Sequence, residues 1–97
     1  MPTVYVTNKS AHDFSAAERF GKILFVTSGR LNRYNINDMH RHASEALEES
    51  EPGDYIVPCS LNTLNSIVCA TFAVKHKRLN LLLFKDNSYL ERTILLD

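Results

Sequence analysis

Residues 54–84, DYIVPCSLNTLNSIVCATFAVKHKRLNLLLF, read as a strand, a helix and a second strand with almost no connecting residues between them. Tyr55-Ile56-Val57 is an apolar run of strand length, Ser60-Leu61-Asn62-Thr63 leads into a long helical stretch, and Leu81-Leu82-Leu83-Phe84 brings the chain back. Two strands joined through a helix form the βαβ arrangement, whose crossover is right-handed. The fold class is therefore α/β. The activity does not follow, because α/β folds carry many unrelated chemistries.

Within this stretch the helix, expected over about Asn62 to Lys77, is apolar around most of its circumference through Leu64, Ile67, Val68, Cys69, Ala70, Phe72, Ala73 and Val74. That pattern predicts burial on more than one side, by the sheet and by a neighbouring element. Pro58 cannot donate to a sheet ladder, so pairing of the preceding strand stops by Val57 on that side.

Toward the C-terminus, Leu81 to Lys85 and Tyr89 to Leu95 flank Asp86-Asn87-Ser88, the pattern of a tight hairpin, so the last strand is antiparallel to the one before it. One of its faces is half polar, which suits an edge. Toward the N-terminus, Thr3 to Thr7 alternates around Val4 and Val6 as a first strand, and Phe14 to Phe20 has the spacing of a helical turn or two capped by Asp13 or Ser15. Lys22 to Thr27 holds the continuous run Ile23-Leu24-Phe25-Val26 and is expected to be a second, largely buried strand. Its link to the first strand is short enough for a parallel crossover or an antiparallel return. Asn37 or Asp38 caps a helix running to about Ser50, with Met39, Ala43, Ala46 and Leu47 as its inner stripe, and Glu51-Pro52-Gly53 stops it. The expected architecture is one α/β domain over residues 1–97: a five-stranded mixed sheet, built from the βαβ unit plus a C-terminal β-hairpin, with two main helices.

Composition narrows the function classes. Ninety-seven residues fit one domain, and 11 basic against 11 acidic residues leave no global field favouring nucleic acid or an anionic membrane. No apolar run approaches the roughly 20 residues of a membrane span. The chain starts Met1-Pro2-Thr3 and enters a strand without the basic and hydrophobic regions of a signal peptide, so residence in the cytoplasm is expected. Cys59 and Cys69 fall inside expected regular elements without CxxC spacing and read as small buried apolar residues. Neither a metal site nor a cofactor is implied, since GxGxxG and GxxxxGK[ST] are both absent. A hydrophobic content of 44% in so small a chain leaves apolar surface for a partner and points to a homodimer.

In an open α/β sheet, ligands gather where the parallel strands end and helices begin. Here that edge would carry Asn8 after the first strand, and Ser60, Asn62 and Thr63 around the start of the second helix, a set able to cradle a phosphate or carboxylate. Ser60 and Asn62 serve equally as helix caps. Ser28, Gly29 and Arg30, with Arg33 close behind, offer a hydroxyl, close backbone approach and guanidinium groups for a phosphate, or form an ordinary solvated loop. His12 beside Asp13 has the makings of a general base, but adjacent side chains point apart and no nucleophile accompanies them. No catalytic residue is assigned. His40 and His42, two apart on a helix, lie on different faces and cannot chelate one metal. Lys75-His76-Lys77-Arg78 ends the second helix, where it complements the negative helix terminus, and no aromatic residue interleaves with it as nucleic-acid stacking needs.

Two stretches, Val4 to Ser15 and Arg78 to Phe84 with Glu91-Arg92-Thr93-Ile94, resemble a family of small uncharacterised proteins encoded by tailed bacteriophages. The resemblance implies an accessory viral protein acting in a bacterial cytoplasm and brings no catalytic residues. Ile56 to Thr63 is more distantly similar to the strand-to-helix turn of CRISPR-associated Rossmann-like domains, which implies cyclic-oligonucleotide binding, but it lacks their glycine pair and lysine. The leading expectation is a non-enzymatic, homodimeric binding module that engages a host or viral protein and can also hold a phosphate-bearing small ligand. The alternative is a nucleotide- or cyclic-oligonucleotide-binding, or cleaving, protein using Ser60, Asn62, Arg30 and His12.

Overall fold

The computed structural model describes residues 1–59 and 61–97. In chain order its elements are β1 (Thr3–Lys9), a 3₁₀ helix (Ser15–Phe20), β2 (Lys22–Ser28), α1 (Ile36–Ala46), β3 (Tyr55–Val57), α2 (Asn62–His76), β4 (Arg78–Lys85) and β5 (Ser88–Leu95). The five strands form one sheet in the order β2-β1-β3-β4-β5. β2, β1, β3 and β4 run parallel, and β5 returns antiparallel to β4.

From β1 the order moves one way to β2, then reverses to β3 and β4. With right-handed crossovers, opposite directions place connections on opposite faces. The 3₁₀ helix accordingly packs on one face, where Phe14 and Ala17 meet Val4, Val6, Val57, Leu82 and Tyr89. α1 and α2 cover the other, where Met39, Ala43 and Leu47 join Leu64, Val68 and Phe72 over Tyr5, Val26 and Ile56. Each fully buried large apolar side chain of this kind contributes roughly 1.5–3 kcal/mol.

The βαβ reading of 54–84 holds, and its economy is visible at Lys77, the single residue between α2 and β4. Its φ of 59° is left-handed, and its N–H closes on the Ala73 carbonyl at 2.8 Å. The hairpin is tight: Asp86 and Asn87, with φ of 53° and 61°, make the two-residue turn whose twist matches the flanking strands. Gly21 is required by close approach, since a Cβ there would lie 2.0 Å from the Pro2 carbonyl oxygen.

Several expectations are corrected. β2 is parallel to β1, but it is an edge strand and not largely buried, with Leu24 and Phe25 42% and 38% exposed. The short 3₁₀ crossover leaves it outermost, and each helical layer covers only part of it. α1 is capped by Asn35, whose Oδ1 accepts the Asp38 N–H at 3.0 Å, rather than by Asn37 or Asp38, and it ends at Ala46 instead of about Ser50. α2 is covered by the sheet and by α1, as expected, with Leu64, Val68 and Phe72 buried and Ile67 and Cys69 packed against the same core, but Val74 stays exposed. The residue preceding α2, Leu61, makes no side-chain capping bond, so the capping role considered for Asn62 is not taken up. Lys75 and His76 stand in the last turn of α2, as expected, and the Lys75 Nζ also donates to the Leu47 carbonyl at 2.8 Å, at the C-terminus of α1. Cys59 lies just after β3, outside any regular element, and both cysteines are half-buried.

Candidate functional site

The reversal of strand order falls between β1 and β3, and the carboxyl ends of these strands are where a ligand crevice forms in this class of sheet. Short polar side chains converge there. Thr7 Oγ1 donates to Asn65 Oδ1 at 2.7 Å and accepts the Cys59 N–H at 3.1 Å. Cys59 Sγ donates to the Asn8 carbonyl at 3.2 Å, and Thr27 Oγ1 lies 2.8 Å from the Thr7 carbonyl and 2.9 Å from Asn8 Oδ1. Thr7, Asn8 and Thr27 are all buried. These bonds join the ends of β1, β2 and β3 to the first turns of α2 and account for the burial of these polar groups.

Above this layer, Asn8, Gly29 and Arg33 line a cleft of about 270 Å³ together with Leu31 and Leu61. Gly29, at φ 76°, lets the chain turn there: its carbonyl accepts from Asn8 Nδ2 at 3.1 Å and its N–H donates to the Lys9 carbonyl at 3.1 Å. The structure thus brings three of the sequence-derived candidates together. Ser28 lines a neighbouring cleft with Lys9, Thr27 and His42. Arg30, Asn62 and Thr63 line neither, and Ser60 lies outside the described residues.

His12 belongs to a third cleft, with Lys9, Asp13 and Glu18. Its ring stands edge-on to Phe14 at 4.8 Å and to Phe84 at 4.7 Å, inside an aromatic row that continues from Phe14 to Phe25 and from Phe84 to Tyr89. Asp13 is turned to local work: its Oδ1 accepts the Ser15 N–H at 2.9 Å, and that bond, then the Ser15 side chain, holds its carboxyl below the usual range. Burial pushes the Cys69 thiol up, away from thiolate chemistry. Among the described residues no three His, Cys, Asp or Glu side chains group to hold a metal.

A feature beyond the reach of strand-end reasoning lies on β5. Leu79 and Leu81 of β4 pack toward α1 and α2, and alternation with the register of β4 and β5 puts Leu83, Leu90, Arg92 and Ile94 on the same face. Among the described residues no helix covers them: Leu83, Leu90 and Ile94 are 39%, 37% and 50% exposed. Alternating apolar residues in the last strand were the only trace of this strip in the sequence. Between α1 and α2, Ile36, Ile67, Ala70 and Val74 line a separate groove of about 480 Å³ together with Asn37, His40 and Thr71. Among the described residues, no helix is long and apolar enough to cross a membrane.

Neither curated proteins nor solved structures contain a match to the chain. The profile of one protein family matches residues 2–95, nearly the whole chain, and on that match the protein belongs to the family described as Phage Pam3 gp32-like protein.

Proposed function

We propose that this phage protein is a non-enzymatic binding module that works by engaging other proteins through the helical side of its sheet. The observation that carries this reading is the set of apolar side chains left uncovered there: Val74 at the α1–α2 groove, and Leu83, Leu90 and Ile94 on β4 and β5. Leu83 and Leu90 are direct cross-strand neighbours, and exposed apolar residues grouped in this way mark protein-interaction sites. The internal bonding of Thr7, Thr27 and Cys59 at the strand ends supports the non-enzymatic part of the reading.

The groove suits a second copy of the chain, since Ala70 between Ile67 and Val74 permits close helix approach. Sedimentation velocity at micromolar concentration tests this: a dimer that Val74→Lys dissociates is the expected result. A host or viral partner is tested by affinity capture with the wild type and with Ile94→Lys. The reading fails if the wild type sediments as a monomer and the two baits retain the same proteins.

A phosphate-bearing small ligand is a second reading, favoured by Arg33, which makes no ion pair among the described residues and faces the same cleft as Asn8 and Gly29. Thermal shift across a panel of nucleotides and cyclic oligonucleotides tests it, with Arg33→Ala expected to abolish any shift.

A further inference from the structure

We propose that β5 is the docking edge for an extended segment of a partner protein, one that carries an acidic residue flanked two positions away on each side by apolar residues. This deepens the protein-binding reading above and rests on it.

The backbone supplies the first half of the match. The two-residue turn makes Lys85 and Ser88 the closing hydrogen-bonded pair, so the even-numbered residues of β5 bond to β4. The pattern persists past the strand, where the Leu96 N–H donates to the Lys77 carbonyl at 2.9 Å. Glu91, Thr93 and Leu95 therefore turn their N–H and C=O groups outward. The ladder runs without a bulge from Arg78–Leu95 to Lys85–Ser88, and β5 contains no proline. Such an edge is a template for strand addition.

Side chains supply the second half. On the helical face of β5 the order is Leu90, Arg92, Ile94: two exposed apolar residues with an arginine between them. Arg92 has no carboxylate partner among the described residues, and its Nη1 donates to the outward carbonyl of its neighbour Glu91 at 2.8 Å. In the free protein it thus occupies one of the edge's own acceptors. A carboxylate on an incoming strand, opposite Arg92, would draw the guanidinium off that carbonyl and open the edge, while apolar residues on either side cover Leu90 and Ile94. Charge complementarity also disfavours a second copy at this edge. A two-fold pairing that sets Leu90 against Ile94 of the other copy puts Arg92 opposite Arg92, a like-charge pair across the strands.

The test is selection from a displayed library of random twelve-residue peptides, against the wild type and against Arg92→Glu, whose exposed position leaves the fold intact by circular dichroism. The wild type is expected to enrich peptides with Asp or Glu between apolar residues at spacing two, and Arg92→Glu to enrich Lys or Arg in its place. A synthetic peptide of the selected sequence is expected to lose about tenfold or more in affinity for Arg92→Glu. Thr93→Pro removes an outward N–H and also the hydroxyl bonded to Asn80, so it is compared with Thr93→Val, which loses the hydroxyl alone; the proline variant is expected to weaken binding likewise and the valine variant to retain it. No enrichment, or the same peptides from both baits, overturns the proposal. Sedimentation and affinity capture judge the broader reading independently.

Discussion

The hydroxyl of Thr7 and the side-chain oxygen of Asn65, 58 residues apart, lie 2.7 Å from each other at the point where β1, β3 and α2 converge. The same Asn65 oxygen accepts the Cys59 N–H at 3.1 Å, so one amide ties the strand-to-helix turn to the neighbouring strand. Thr7→Val keeps the shape and removes the hydroxyl, so Asn65 Oδ1 and the Cys59 N–H keep each other but each loses its bond to Thr7. It is expected to cost about 1–3 kcal/mol in urea denaturation. Asn65→Leu should cost a similar amount, and the double variant should cost clearly less than the sum, because both changes dismantle one network.

Asn80, inside β4, closes the opposite end of the sheet. Its Nδ2 donates at 2.7 Å to the carbonyls of both Pro52 and Asp54, while its Oδ1 accepts from Arg78 Nε and Thr93 Oγ1 at 3.1 Å. Asp54 is bound in turn, accepting the Thr3 and Glu51 N–H groups at 2.8 Å. Asn80→Leu places an apolar side chain against two carbonyls without donors and is expected to lower stability by roughly 2–4 kcal/mol, read as a lower urea midpoint with an unchanged slope.

The two networks differ from the rest of the fold in how far the sequence foretells them. The 54–84 unit was legible because each boundary has a local cause: Pro58 ends β3, and a single residue separates α2 from β4. The hairpin was legible for the same reason. β2 was misread because Ile23-Leu24-Phe25-Val26 looks alike whether both faces are covered or each is covered in part, and strand order decides which. The start of α1 was set too late, at Asn37 or Asp38, because Asn35 two residues earlier caps equally well and nothing local ranks the three. Asn8, Gly29 and Arg33 could be brought to one edge by counting strands. Pairing Thr7 with Asn65, or leaving β5 bare beyond α2, needed the lateral positions of the elements, which no local pattern encodes.

Tyr89 is 2% exposed, and its hydroxyl has no hydrogen-bond partner among the described residues. Burial, with the nearby Cys59 and Asp13, pushes its pKa up. Tyr89→Phe removes the orphaned group and retains the ring against Phe84. It is expected to raise the melting temperature, with a gain of about 1 kcal/mol, where a tyrosine with a bonded hydroxyl would lose stability on the same change. A lower melting temperature would mean that the hydroxyl is satisfied in solution.

His76 gives the chain a pH dependence of definite sign. At the end of α2 its ring packs on Phe72 at 4.5 Å, and Nε2 lies 2.8 Å from Ser50 Oγ. The Ser50 hydroxyl already donates to the Leu47 carbonyl at 2.7 Å, so Nε2 carries the proton and donates to Oγ, which leaves Nδ1 as the site of further protonation. Burial first, then the charge of Lys75, disfavours the imidazolium, while Asp54 and Glu51 oppose them; the net effect places the pKa below the ordinary 6.5. An unfolded chain therefore binds a proton at this residue before the folded one does, so stability rises with pH across that interval. The contribution is complete above about pH 6.5, declines as pH falls below it, and levels off once the folded state is protonated as well. Urea midpoints measured between pH 7.5 and 5 should decrease for the wild type, and the decrease should be smaller in His76→Gln, which keeps a donor for Ser50 but does not titrate. Equal slopes for the two proteins would assign the dependence to other groups.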